Sequence, residues 1–154
     1  KYPLEAVEAM ASIIRETEAS GRDDMEPHTH GVGMATEALI SEVAAVLAKD
    51  SGAKLILAAS ISGDLGRIIS RHRPELPIAV PTEFERVRGQ LNLSWGVMPF
   101  MIPACSSVEE IITRAVDHLK KEEMLKTGDK IVVIAGEPVG VSGGANLAEI
   151  REVK

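Results

Sequence analysis

Ser60-Ile61-Ser62-Gly63 is the stretch whose residue types best suit chemistry, since it places two hydroxyls and a glycine between an apolar run, Lys54–Ala59, and a helical pattern beginning near Leu65. A strand-to-helix turn of this kind offers unpaired backbone N–H groups, hydroxyl donors and the positive end of a helix dipole, the combination that holds a phosphate. Arg67, one turn into the helix, adds a cation within reach. Asp64 works against it: a carboxylate repels an anion at 4 Å by about 4 kcal/mol per unit charge pair at an effective dielectric of 20. The same residues also fit a plain reading, with Ser62 capping the helix, Gly63 relieving a tight turn and Arg67 forming a surface ion pair. The strict G-x-G-x-x-G fingerprint is absent, so the turn does not point to a dinucleotide.

Other reactive side chains are less well placed. Asp23, Asp24, Glu26, His28 and His30 crowd one segment, but zinc demands a fixed tetrahedral ligand set that a linker supplies poorly, and a solvated acidic linker is expected. Cys105 has no activating group near it in sequence and reads as a buried or half-exposed spectator thiol. Trp95 reads as a packing residue at the start of a strand. No catalytic or metal-ligating set is assigned.

The elements that would position the turn follow from periodicity. Leu4, Val7, Met10, Ala11 and Ile14 recur at helical spacing between Pro3 and Gly21, predicting an amphipathic helix over about 3–20. Residues 22–33 show no period and mark a boundary. A second helix is expected over 32–49, with Gly52 as its stop. Lys54–Ala59 is a continuous apolar run, as in a strand buried on both faces. Helices near 65–72, 83–93 and 107–123 then alternate with strands near 77–80, 97–102 and 130–135. Residues 136–144 form a glycine-rich loop, expected to fold over the Ser60 turn because both lie beyond strand ends. Its only charged residue is Glu137. Leu147–Val153 reads as a half-exposed edge strand.

This alternation implies a three-layer α/β/α domain with a mixed five-stranded sheet, mostly parallel. About ten loop residues precede the last strand, too few for a helical crossover, so it is expected to run antiparallel.

With 154 residues the chain has room for one core that buries roughly two thirds of the unfolded surface. A net charge of −6, with Arg71-His72-Arg73 as the longest basic cluster, lacks the basic stripe that nucleic acid binding needs. No apolar run approaches the roughly 20 residues of a membrane span, and the single cysteine and lack of a signal-like opening point to the cytoplasm. Because Lys1 leads straight into a helix, the chain is expected to start inside a longer polypeptide.

Several segments, in order, resemble the pyruvate kinase family. Lys1-Tyr2-Pro3-Leu4-Glu5-Ala6-Val7 is similar to the start of the last helix of that family's catalytic (β/α) barrel. Ser70-Arg71-His72-Arg73-Pro74, with Pro77–Val80 after it, resembles its SRYRP segment and following strand. Leu93-Ser94-Trp95-Gly96-Val97-Met98-Pro99 is similar to L-x-W-G-V-x-P. Lys126-Thr127-Gly128-Asp129 and Gly136-Glu137-Pro138-Val139-Gly140-Val141 are similar to KKGD and G-x-P-V-G-V.

The resemblance implies residues 1–21 as the closing helix of the barrel, 22–31 as a linker and 32–154 as the C-terminal α/β domain. It implies a parent enzyme that transfers a phosphoryl group from phosphoenolpyruvate to ADP with Mg²⁺ and K⁺, through barrel residues preceding this chain. The chain itself is expected to hold no cofactor and no catalytic residue. In members activated by sugar phosphates the turn has the form T-x-S-G followed by two cationic or hydroxyl residues. Ser60, Ser62 and Gly63 keep that pattern, whereas Asp64 and Leu65 depart from it. With no cation in the 136–144 loop either, a response to a sugar bisphosphate is not expected. The resemblance also implies a homo-oligomer, a tetramer in the parent, whose C-terminal domains pair partly through the last strand; Leu147, Glu149, Ile150 and Arg151 are the candidate interface residues. The competing reading is a stand-alone enzyme for a small phosphate ligand, with its site at the strand ends near Ser62 and Gly136.

Overall fold

A computed structural model describes residues 2–20, 36–136 and 145–154, which divide between two compact units, Lys1–His30 and Gly31–Lys154. The linker expected over 22–31 and the Glu137–Gly144 part of the glycine-rich loop lie outside the described residues. In the first unit, α1 (Pro3–Ala19) begins with proline in its first turn, where the missing N–H is no loss. It buries no residue within its unit, and Leu4, Val7, Met10 and Ile14 are all more than half exposed.

The second unit is built on one sheet of order β3-β2-β1-β4-β5. In chain order its elements are α2 (Thr36–Ser51), β1 (Ile56–Ala59), α3 (Asp64–Ser70), β2 (Ile78–Thr82), α4 (Glu85–Leu91), β3 (Val97–Met101), α5 (Val108–Lys121), β4 (Lys130–Gly136) and β5 (Ala145–Glu152). β1 pairs in parallel with β2 and β4, β2 pairs in parallel with β3, and β5 runs antiparallel to β4. The expected mixed sheet with a reversed last strand is therefore present.

Alternation along the central strands divides the core. Leu55, Leu57 and Ala59 of the β1 region and Ile131, Val133 and Ala135 of β4 join Ile111, Ile112, Ala115 and Leu119 of α5 on one face. Ile56 and Ala58 of β1, Val132 and Ile134 of β4, and Ile78 and Val80 of β2 meet Ala44 and Ala48 of α2, Leu65 and Ile69 of α3 and Leu91 of α4 on the other. Each central strand is buried on both sides, as continuous apolar runs require. α5 starts where Ser107 Oγ accepts the Glu110 N–H at 3.2 Å and the Glu110 carboxylate accepts the Ser106 N–H at 2.8 Å, a local variant of the capping box. The Ser106 N–H foremost, and then the Ser106 hydroxyl donating at 3.0 Å, hold the Glu110 carboxyl below its usual range.

The last strand differs from expectation at its ends. β5 begins at Ala145, which is buried, and stops before Val153. Val153 leaves the ladder yet is anchored, its N–H donating to Asp129 O and its carbonyl accepting from Gly128 N, both at 2.8 Å, while its side chain enters the α5 core.

Candidate functional site

The candidate turn sits where the sheet changes direction. From β1 the chain passes through α3 to β2 on one face, whereas the helix leading into β4, α5, lies on the other. The ends of β1 and β4 therefore flank a topological switch point, the place where open α/β sheets characteristically bind ligands. Ser60 and Ser62 are half-buried there, their hydroxyls 3.2 Å apart. Ser62 does not cap α3 as the plain reading expected: the N-cap position is Gly63, which has no side-chain cap hydrogen bond, and Ser62 Oγ only accepts the Asp64 N–H at a long 3.4 Å. Gly63 is buried with φ +76, a conformation other residues adopt only with strain, and a Cβ on it would come within 2.9 Å of both Leu91 and Val87. Glycine is thus demanded twice, by backbone angle and by space.

The cation is not aimed into the turn. Arg67 lies 3.6 Å from Asp64 through Nη1 and donates to Gln90 Oε1 at 3.0 Å through Nη2. With both partners about a third or more exposed, the ion pair contributes only about 0–1 kcal/mol, but it gives the guanidinium neighbours of its own. The structure thus brings Ser60, Ser62 and Gly63 together and draws Arg67 toward Asp64 and α4.

Two residues that shape this site carried no local signal. Thr82, fully buried at the end of β2, donates from Oγ1 to Ile61 O at 2.8 Å and accepts the Phe84 N–H at 3.2 Å, tying the turn to the neighbouring strand. Gln90 holds Arg67 from a separate helix. Neither lies near the turn in sequence, and only a sheet order placing β2 beside β1 connects them.

The two family-like segments around Ser70 and Trp95 also meet. Ser70 Oγ donates to Trp95 O at 2.7 Å, and the Arg73 guanidinium lies 4.8 Å from the Trp95 ring centroid, a cation–π distance. Trp95 is half-buried in the turn two residues before β3, where it packs against Arg73.

Cys105 is half-buried with its thiol 3.3 Å from Pro103 O. Burial pushes its pKa up, an effect that outweighs the opposing pull of Arg114. A thiol held protonated is a poor nucleophile. Iodoacetamide at pH 8 is therefore expected to alkylate the folded chain several-fold more slowly than the urea-unfolded chain, read by intact mass; equal rates would contradict the burial argument. Among the described residues no group of three His, Cys, Asp or Glu side chains is arranged to hold a metal ion. Asp23, Asp24, Glu26, His28 and His30 lie outside those residues.

The candidate interface residues occupy β5, an edge of the sheet. Residues directly opposed on β4 assign their faces: Glu149 lies opposite Val133 and Arg151 opposite Ile131, on the α5 side, whereas Ile150 lies opposite Val132, on the α2 side. Arg151 bridges Glu109 of α5 at 2.8 Å and Glu149 at 2.6 Å. These partners, Glu109 first, raise its already high pKa. Leu147 and Ile150 remain 39% and 48% exposed. No helix among the described residues is long and apolar enough to cross a membrane.

Residues 38–151 match the model of a family described as the pyruvate kinase alpha/beta domain. Among curated relatives, the pyruvate kinase of Clostridium acetobutylicum is 33% identical over 155 residues, covering 99% of this chain and 33% of its own length. That of Lactococcus lactis subsp. lactis is 33% identical over 158 residues, covering 100% and 31% respectively. Among solved structures, a pyruvate kinase from Cryptosporidium parvum superposes with a TM-score of 0.72 at 26% identity, over 80% of this chain and 24% of that one. The chain thus spans no more than a third of the length of these relatives. With most of its residues inside the matched domain and its sheet shared with a solved member, this chain belongs to the pyruvate kinase family, as that family's alpha/beta domain.

Proposed function

We propose that this chain is the C-terminal regulatory and subunit-assembly domain of a cytoplasmic pyruvate kinase, and that it does not itself catalyse transfer of phosphate from phosphoenolpyruvate to ADP. The observation that carries the reading is the match of residues 38–151 to the alpha/beta domain of the family. On this reading, residues 1–21 close a catalytic barrel, 22–31 link it to the domain, and 32–154 form the domain. The large apolar residues of α1, bare within their own unit, support the first assignment, because such a stripe calls for a partner. The groups that move the phosphoryl group, and the Mg²⁺ and K⁺ that serve them, are assigned to that barrel. One solved relative is a Cryptosporidium parvum pyruvate kinase in complex with ADP, and nucleotide chemistry is likewise assigned to the barrel of the parent.

Within the domain we assign assembly to β5 and a sensing role to the Ser60–Gly63 turn. The Asp64 carboxylate beside Arg67 favours a domain that does not answer to a sugar bisphosphate. The purified chain is expected to form no ATP from phosphoenolpyruvate and ADP above background, and to give no heat on calorimetric titration with fructose 1,6-bisphosphate. Turnover would refute the assignment as a non-catalytic domain. Heat that Arg67→Gln abolished would show that the turn binds the bisphosphate despite Asp64.

A further inference from the structure

α3 is held at three places, and the three differ in kind. In its middle, Gly66 leaves the helix backbone resting on the Val80 side chain of β2, so close that a Cβ would come within 2.5 Å of Val80 Cγ2. At its start, Gly63 is packed against Val87 and Leu91 of α4, and Arg67 Nη2 donates to Gln90 Oε1 at 3.0 Å. At its end, Ser70 Oγ donates to Trp95 O at 2.7 Å, and the Arg73 guanidinium lies 4.8 Å from the Trp95 ring centroid. Both ends are therefore tied to one stretch, residues 87–95. That stretch is bonded along its own length, with the Leu93 N–H donating to Gln90 O at 3.3 Å and the Ser94 N–H to Leu91 O at 2.9 Å.

A helix of seven residues is only about 10 Å long, and its internal hydrogen bonds make it move as a body. Supported near its middle and tied at both ends, such a body has one easy motion, a tilt about the support. Resting on the sensing role assigned above to the Ser60–Gly63 turn, we propose that α3 is a rocker that pivots on Gly66 and carries a displacement of the turn to Leu93 and Trp95. Thr82 Oγ1 holds Ile61 O at 2.8 Å, which fixes the first half of the turn to β2. A shift imposed on the turn is thus confined to Ser62, Gly63 and the helix that they start. At the far end, Leu93 is 92% exposed, the most of any large apolar side chain among the described residues, so the motion ends on the surface of the domain.

Coupling between two sites is reciprocal, so the rocker is tested from both ends. Trp95 is the chain's one tryptophan, and its fluorescence reports the far end alone. Gly63→Ala drives a methyl into Val87 and Leu91 and is expected to shift Trp95 emission to longer wavelength and to increase its quenching by acrylamide. Gly128→Ala alters a position that is also left-handed, at φ +91, but has nothing within 4 Å of the new methyl, and is expected to leave both readouts unchanged. In the other direction, Ser70→Ala cuts the tie to Trp95. It is expected to accelerate exchange of the Gly63 amide, which donates to Ser60 O, roughly tenfold more than that of the Val132 amide of β4, a reporter of core opening. Trp95 readouts that stay unmoved in a folded Gly63→Ala chain, or that move as far in Gly128→Ala, overturn the rocker. So does equal acceleration of Gly63 and Val132 in Ser70→Ala, which decides alone if Gly63→Ala does not fold. Neither arm uses a ligand, so failure here removes the coupling and leaves the sensing role to stand or fall by titration of the turn.

Discussion

Gly66→Ala is expected to destabilise the α/β unit by about 2 kcal/mol, and Gly66→Val to leave it unfolded at room temperature. Gly66 is buried in α3, and a Cβ there would come within 2.5 Å of Val80 Cγ2 on β2. Two effects oppose each other. Helix propensity favours alanine over glycine by about 1 kcal/mol. Against this stands a contact shorter than real Cβ atoms show, with a neighbour that cannot step aside: Val80 is 0% exposed and packed in the core between the sheet and α2, α3 and α4, and a β-branched side chain has little rotamer freedom. The clash should win, because relieving it requires α3 to move off the sheet or Val80 to leave its rotamer. Urea denaturation of the two variants checks the size of the effect. Gly66→Ala combined with Val80→Ala checks its cause: the smaller residue makes room for the new methyl, and the double variant should exceed the sum of the singles in stability by about 1 kcal/mol or more. An unfolding midpoint for Gly66→Ala equal to or above that of the wild type would show that propensity, not packing, governs the position.

Much of this fold was legible because period and burial coincide. Lys54–Ala59 and Lys130–Ala135 are apolar at both parities, and both strands lie at the middle of the sheet. The reversal of β5 followed from loop length alone. Sheet order did not, since nothing local in β4 says that it lies beside β1 rather than beside β3; that choice is made by which helices cover which face. The candidate turn was legible as a strand followed by Ser-x-Ser-Gly. Its fixing by Thr82 and the retention of Arg67 by Gln90 were not, because both partners arrive through β2 and α4. On β5 the charges could be read but not their use. Glu109 is 42 residues from Arg151 and reaches it only because α5 lies over the side of the sheet that Arg151 faces. β5 starts at Ala145, two residues before the expected Leu147, with Ala145 buried against the core and Asn146 exposed.

Thr82→Val should cost about 2–3 kcal/mol and loosen the Ser60–Gly63 turn, while Thr82→Ser should keep the turn intact at a cost of about 1 kcal/mol for the lost methyl. Valine matches threonine in shape, so the substitution isolates the hydroxyl. That hydroxyl is used at both ends: it donates to Ile61 O, in a residue only 6% exposed, and accepts the Phe84 N–H. Removing it leaves an acceptor with less than it needs in a buried place, where water cannot easily substitute, and frees the segment that leads into α4. The penalty for a buried polar group left unpaired exceeds the gain from a typical hydrogen bond, so the valine variant should suffer more than the loss of one contact suggests. Amide exchange separates a local from a global effect. In the valine variant the Gly63 amide, which donates to Ser60 O, should exchange faster by a larger factor than the amide of Val132, which donates to Leu55 O from the interior strand β4 and reports on opening of the core. In the serine variant the two should change together. A valine variant as stable as the serine one, or with Gly63 and Val132 accelerated equally, would mean that the turn is held by its own residues and that β2 has no part in positioning it.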